Sequence, residues 1–391
     1  MTNIYQLIKI IQRKPLIFNI IELEAHMKKF SFLLLSLIVS LTATAQDIHY
    51  SQFYMAPLQL NPALTGVMNC QQRLGGSYRD QWASVLRNKA FQTYSVAYDA
   101  KIPVGRYDYF GLGGSLWGDK AGSLDFRSTM LSMNVAYSKK MGGYRKKANY
   151  LSMGAKVGLA QRGLNLLDAR WGNQNNGRGE YDGTLASNEQ LFGANGRDNF
   201  LFADVSAGLL WFSVFDENNN FYFGGAYDHI NRANQSFTKD ILTPVAIKAA
   251  NVPLNSKFTI HAGGEFHTSD RITMLPGAVV LLQGTNMEIN AGASFRFLLG
   301  GLRNSTEGIQ FGAWTRLANK VGADGKTGGG ILMDAIILST RFDYSQFSLG
   351  FSYDLNTSSL RPASHGNGGF EFALQYKICG PEKRNVYCPN F

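Results

Sequence analysis

No segment of the 391 residues is apolar for long enough to cross a membrane as a helix, which takes about 20 residues. The longest apolar run lies near residues 30–41, and mean hydropathy is −0.14. A helical membrane protein is thereby excluded. Charge is also scarce: Asp, Glu, Lys and Arg make up 17% of the chain. Only three cysteines occur, Cys70, Cys379 and Cys388, and no histidine lies at ligand spacing from the last two, so no metal pattern forms. What is abundant is aromatic residues, at 13%, and glycine, at 42 residues. Few charges with many aromatics and glycines suit short strands and tight turns.

The amino terminus carries an export signal. Met27-Lys28-Lys29 is a basic start, Phe30–Leu41 a short apolar run, and Ala43-Thr44-Ala45 an A-x-A cleavage pattern followed by Gln46. No cysteine follows the cleavage point, so no lipoprotein anchor is expected. Residues 1–26 precede a complete signal and read as a mis-annotated extension, with Met27 as the true start. Removing residues 1–45, with five Lys/Arg and two Glu, takes the net charge from +10 to +7. No basic stripe with interleaved aromatics accompanies that charge, so no nucleic-acid partner is expected. Lys139-Lys140 and Arg145-Lys146-Lys147 cluster in one turn and read as a solvated turn or a lipid headgroup contact.

The mature chain alternates with period two. Phe347, Leu349, Phe351, Tyr353 and Leu355 alternate with Gln346, Ser348, Gly350, Ser352 and Asp354. Phe370, Phe372, Leu374, Tyr376 and Ile378 alternate with Glu371, Ala373, Gln375 and Lys377. Segments 256–267 and 286–297 repeat the pattern. Alternation alone also fits a soluble half-buried sheet. Segment length, aromatics near segment ends and an export signal without an anchor favour a membrane barrel, in which a sheet must close to satisfy its backbone groups.

The expectation is an all-β, transmembrane antiparallel β-barrel of about 14 strands, with a short N-terminal plug or periplasmic segment. Strands are predicted near 71–82, 90–100, 108–118, 124–138, 149–161, 199–213, 220–229, 256–267, 271–283, 286–297, 308–317, 331–341, 345–355 and 368–378. Segments 124–138 and 331–341 alternate poorly. With the amino terminus inside, outer loops fall at 83–89, 119–123, 162–198, 230–255, 284–285, 318–330 and 356–367. The four longest connections then all lie on the outer side, as in outer-membrane barrels. The domain reading is 1–26 extension, 27–45 signal peptide, 46–70 plug or periplasmic segment, 71–378 barrel and 379–391 periplasmic tail.

Candidate chemistry does not survive inspection. Gly325-Lys326-Thr327 resembles the end of a phosphate loop, but Lys320 stands where the first glycine is needed. His261, Glu265 and His267 have the wrong order for a zinc protease and would share a strand's lumen face. Asp216-Glu217-Asn218-Asn219-Asn220 opens like a calcium loop, but Phe221 replaces its glycine. No G-x-S-x-G occurs. No enzyme activity and no cofactor are expected. Residues 47–66, DIHYSQFYMAPLQLNPALTG, hold Pro57 and Pro62 and so form no central strand. Tyr50, Phe53 and Tyr54 in this segment need burial, inside the lumen or at its periplasmic mouth. Cys379 and Cys388 are close in an exported chain, and a local disulfide between them is expected, leaving Cys70 over.

These residues carry a resemblance. The 47–66 segment, YRDQW at 78–82, FQTYSVAYD at 91–99, GLGGSLWGDKAG at 111–122 and DHINRANQSF at 228–237 resemble the PorP/SprF family of the type IX secretion system. Leu275-Pro276-Gly277, Phe295-Arg296, Ser352-Tyr353-Asp354 and Cys388-Pro389 extend the likeness over residues 47–391. The resemblance implies a non-enzymatic outer-membrane protein assisting secretion and surface attachment of large adhesin-like cargo; some family members work in gliding motility. It implies partners among type IX components on the periplasmic side, a large secreted surface protein on the outer side, and outer-membrane lipid. The motif positions Ser51, Gln52, Phe53, Pro57, Asn61, Pro62, Gly66, Tyr78, Arg79, Asp80, Gln81, Trp82, Tyr98, Asp99, Asp119, Gly122, His229 and Asn231 are the candidate partner-binding residues. The last strand of an outer-membrane barrel normally ends on an aromatic; here Tyr376 is expected to take that place, and a tail continues to Phe391. The other function considered is an outer-membrane channel or hydrophobic-solute porin of similar architecture.

Overall fold

The computed structural model describes residues 47–380 apart from 123, 144–146, 166–173, 175–179, 183, 186–198, 217–218, 238–250, 300–306, 322–326 and 360. The chain divides into one unit of residues 46–319 with 330–391 and another of residues 1–45 with 320–329.

Among the described residues, alternation of side chains along extended backbone produces fourteen strands: β1 Gln72–Gln81, β2 Phe91–Val104, β3 Asp108–Ala121, β4 Phe126–Gly142, β5 Ala148–Gly163, β6 Asn199–Val214, β7 Asn220–Asp228, β8 Lys257–Ser269, β9 Ile272–Gln283, β10 Asn286–Leu298, β11 Gly308–Val321, β12 Thr327–Tyr344, β13 Phe347–Asn356 and β14 Asn367–Ile378. Neighbours in sequence are neighbours in the sheet, and β1 closes on β14. The closing register runs antiparallel from Gln72 opposite Ile378 to Gln81 opposite Gly369. Closure leaves no sheet edge, so every strand finds a partner on both sides.

The barrel is turned outside-in relative to a soluble fold. On β4, Leu131 is 60% exposed and Met133 77%, while Ser132, Asn134 and Ser138 are buried. The same division holds on β13, where Phe347, Leu349 and Phe351 are exposed and Ser348 and Ser352 are buried. An apolar outer face with a polar inner one is the arrangement lipid requires. β4 alternates strictly in burial along its 17 residues, although its sequence reads weakly. Its inward row includes the apolar Met130 and Ala136 beside its serines and Asn134, and its outward row includes Arg127, Thr129 and Lys139 beside Leu131, Met133 and Val135, which blurs the contrast in hydropathy.

Several strands run past their expected ends. β3 and β4 pair from Tyr109–Ser138 to Ala121–Phe126, and β11 and β12 reach Val321 and Thr327. Ladder pairing continues wherever backbone groups face each other, whatever the polarity of the side chains. The β11–β12 connection, expected at 318–330, shrinks to 322–326 and is no longer among the longest. The connections 164–198 and 229–256 remain long, and both leave the end opposite β1's start. That end is called the long-loop end and the other the short-turn end.

The expected pairing of Cys379 with Cys388 is corrected. Cys379 is bonded to Cys70, and Cys388 lies outside the described residues. The cause is barrel closure: Gln71 donates its N–H to the Ile378 carbonyl at 3.0 Å, which sets the residues on either side of the seam together. Nearness in sequence does not count there, because the ring brings the first strand beside the last.

Candidate functional site

Residues 47–70 do not pair with the sheet. They cross the lumen as a strap of short helical turns at 53–55, 57–60 and 62–64. Pro57 and Pro62 open two of these turns, positions where a missing N–H is no loss. Asn61 caps the last one, its side chain accepting the Ala63 N–H at 2.8 Å. Strap residues contact strands on all sides of the barrel, from β2 to β14, which places the segment inside it. Beside it remain cavities of about 20 and 30 Å³, each large enough for one or two water molecules.

At the long-loop end the strap is held by charge. Asp47 lies 2.6 Å from His229 Nε2 and accepts from Lys257 Nζ at 3.1 Å. His229 Nδ1 lies 2.6 Å from Asp204. Only a doubly protonated imidazole donates at both nitrogens. Burial opposes that charge, but Asp47 and Asp204 more than offset it and raise the His229 pKa to about 9. Burial likewise disfavours the Asp47 carboxylate, yet Lys257 and His229 hold its pKa well below the usual value. His49 Nε2 lies 3.6 Å from Glu288.

One turn further in, both oxygens of Glu371 accept consecutive backbone N–H groups, from Ser51 at 2.8 Å and Gln52 at 2.9 Å. The Ser51 hydroxyl donates to Asp354 at 2.9 Å and accepts from Arg79 at 2.9 Å and Arg316 at 2.6 Å. Its one donor and two acceptor sites are therefore filled. Arg316 and Arg79 also reach Asp354 at 2.8 and 3.1 Å. Both guanidinium groups are buried in paired surroundings, the condition under which buried charge is tolerated.

Below this node the strap is held by shape. Phe53 meets Trp314 edge-on at 5.6 Å, and Tyr54 stacks on the same indole at 5.5 Å. Ala63, Leu64 and Val67 are completely buried beside Tyr109, Tyr150, Leu210 and Phe212. Burying Leu64 and Val67 stabilises by about 1.5–3 kcal/mol each. Glycines of the wall make room for the strap's backbone: a Cβ at Gly111 would strike the Thr65 carbonyl, at Gly154 the Pro62–Ala63 peptide, and at Gly208 the Asn61 side chain. Asn61 Nδ2 donates to the carbonyls of Leu209 at 3.0 Å and Gly225 at 3.1 Å. Gly66, at φ +75°, donates to Asp99 at 2.7 Å. Arg73 grips the same carboxylate at 2.9 Å, Lys101 donates to the Met68 carbonyl at 3.0 Å, and the strap ends at the Cys70–Cys379 bond.

The structure thus gathers Ser51, Gln52, Arg79, Phe53, Pro57, Asn61, Pro62, Gly66, Asp99 and His229 along one path. The other motif residues lie elsewhere. Tyr98 is exposed on the outer face, and Tyr78 packs beside Phe370 at 6.1 Å. Asp80 accepts from Gln92 at 3.3 Å, and Gln81 accepts from Arg79 at 3.4 Å. Asp119 accepts from Thr93 at 2.6 Å. Trp82 and Gly122 occupy turns at positive φ, and Asn231 donates to the Ala203 carbonyl at 2.7 Å. Sequence reasoning passed over Glu371, Asp354, Arg316, Lys257 and Trp314. Their signal was present: four are charged residues and one an indole, set at inward positions of barrel strands.

A closed antiparallel barrel with an apolar outer face and an internal strap is a membrane-spanning β-barrel of the outer-membrane class. A family model described as "Type IX secretion system membrane protein PorP/SprF" matches residues 42–376, and the chain belongs to that family. It is an outer-membrane protein of the type IX secretion system. Among solved structures it is similar to the Ralstonia pickettii toluene transporter TbuX, at 12% identity over 83% of this chain and 94% of that one, with a TM-score of 0.39. It is also similar to the Pseudomonas putida toluene transporter TodX, at 11% identity over 86% and 95%, TM-score 0.36. CdiB from Acinetobacter baumannii shows 8% identity over 78% of this chain and 60% of that one, TM-score 0.40. The comparison with curated proteins yields no match.

Proposed function

We propose that this chain is a non-enzymatic holder in the outer membrane, assisting secretion and keeping a large adhesin-like protein, or its carrier, at the cell surface. The occupied lumen is the observation that carries this reading. The inward charges of the Ser51 and Asp47 nodes are spent on binding the strap, and the glycines opposite it fit its backbone. A barrel filled in this way has walls built for its own segment. In this reading the connections 164–198 and 229–256, which leave the barrel at its outer end, supply the cargo contacts. The short turns and the tail 379–391, described only to Gly380, face the periplasm and supply the contacts to the secretion machinery.

The test is a deletion strain complemented with the full chain or with a chain ending at Gly380, which keeps Cys379. Full complementation restores surface display of the cargo. The truncated chain inserts normally but displays several-fold less. Normal display without the protein, together with conductance or solute uptake in reconstituted bilayers, would instead establish a channel.

A further inference from the structure

One basic cluster is not absorbed by the strap or by cargo binding. At the short-turn end, the β2–β3 turn carries Arg106 and the β4–β5 hairpin carries Lys139, Lys140 and Lys147. Arg106, Lys139 and Lys147 are exposed, and Lys140 is half-buried. Arg145 and Lys146 of the same hairpin lie outside the described residues. The two turns are joined: Lys140 Nζ sits 4.1 Å from the centre of the Tyr107 ring, Arg106 stacks on that ring at 5.3 Å, and Tyr150 donates its hydroxyl to the Tyr107 carbonyl at 3.1 Å. The nearby acid, Asp108, is occupied by the Lys140 N–H at 2.9 Å and the Tyr137 hydroxyl at 2.8 Å. Among the described residues none of the four cations forms an ion pair.

Height on the barrel wall identifies what such a cluster meets. On the outer face of β4 the order toward the short-turn end is Leu131, Met133 and Val135, all exposed, then Tyr137, packed on Phe110 at 4.9 Å, then the exposed Lys139. Successive outward residues are about 7 Å apart along a strand. Apolar, aromatic and cationic side chains thus follow one another as hydrocarbon, interface and headgroup do. A protein ligand would have no reason to match that column.

We infer that the periplasmic ends of β2–β5 form a binding site for acidic phospholipid headgroups of the inner leaflet, with Arg106, Lys139 and Lys147 holding the phosphate and Lys140, on the lumen face opposite Tyr150, bracing the Tyr107 ring between the two turns. The inference uses the barrel's orientation and is independent of whether the protein holds cargo.

The full-length protein is released from vesicles of phosphatidylcholine and phosphatidylglycerol, and retained lipid is counted by native mass spectrometry. Wild type retains phosphatidylglycerol over phosphatidylcholine by roughly three- to tenfold, the scale set by a few cations near a membrane surface. The combined variant Arg106→Gln, Lys139→Gln and Lys147→Gln loses most of that preference. Arg271→Gln, on a different turn, keeps it. Should the combined variant not fold, wild type alone decides, because its preference must fall as salt rises. Equal retention of the two lipids by wild type, a preference unchanged by salt, or a folded combined variant with wild-type preference overturns the site. So does capture of polyglutamate in place of lipid.

Discussion

The two halves of the strap are held by different physics. Residues 47–52 are bound through buried charge, with His229, Lys257, Glu371, Arg79 and Arg316 as partners. Residues 53–65 are bound mainly through aromatic contact, aliphatic burial and wall glycines, before Asp99 and Lys101 take hold of Gly66 and Met68. Charge networks fail abruptly, because loss of one member leaves the others buried and unpaired. Packing fails by degrees, in proportion to volume lost or added. The first half is therefore the part of the strap whose grip a single substitution or a change of pH can break.

The largest effect is expected from Arg316→Ala. It strips Glu288 of its guanidinium partner, leaves Asp354 and the Ser51 hydroxyl with Arg79 alone, and costs about 3–5 kcal/mol. The urea midpoint of heat-modifiable gel mobility measures this; a wild-type midpoint would erase the contrast between the halves. Next comes pH. His229 has a folded pKa of about 9, above the ordinary 6.5. Its contribution is complete below 6.5 and is lost as pH rises through 9, amounting to about 3 kcal/mol. Protease access to residues 47–52 should rise over that range, and His229→Gln should abolish the pH dependence. A flat profile in wild type would remove His229 from the clamp.

Gly208→Ala tests the second half. The added methyl meets the Asn61 side chain and should cost about 1–3 kcal/mol, without any pH dependence. The smallest effect is expected for Leu58→Met, which conserves volume in a fully buried position and should cost below about 1.5 kcal/mol. If Leu58→Met matched Arg316→Ala in urea, packing would be as brittle as charge and the comparison would collapse.

Much of this was legible in the chain. Phe347, Leu349 and Phe351 against Ser348 and Ser352 announce a strand with one face in lipid, because side-chain direction follows from extended backbone alone. β4 shows the boundary of legibility: Met130 inside and Arg127, Thr129 and Lys139 outside break the hydropathy contrast of an alternation that burial keeps. Strand ends were less legible still, since β3, β11 and β12 continue as long as a neighbouring backbone is there to pair. The need of Tyr50, Phe53 and Tyr54 for burial could be read from the strap itself. Which wall residues meet them could not, because Trp314 and Glu371 are separated from them by most of the chain.

The sequence by itself determined the class of fold and the number of strands, through a local period that owes nothing to long-range contacts. It also determined that residues 47–66 are not a strand, through Pro57 and Pro62. Only the tertiary structure decided that Cys70 joins Cys379, that Glu371 holds Ser51 and Gln52, and that His229 lies between Asp47 and Asp204. The reason is the ring: closing β1 on β14 sets the register of the whole wall, and that register alone determines which inward side chains face the strap.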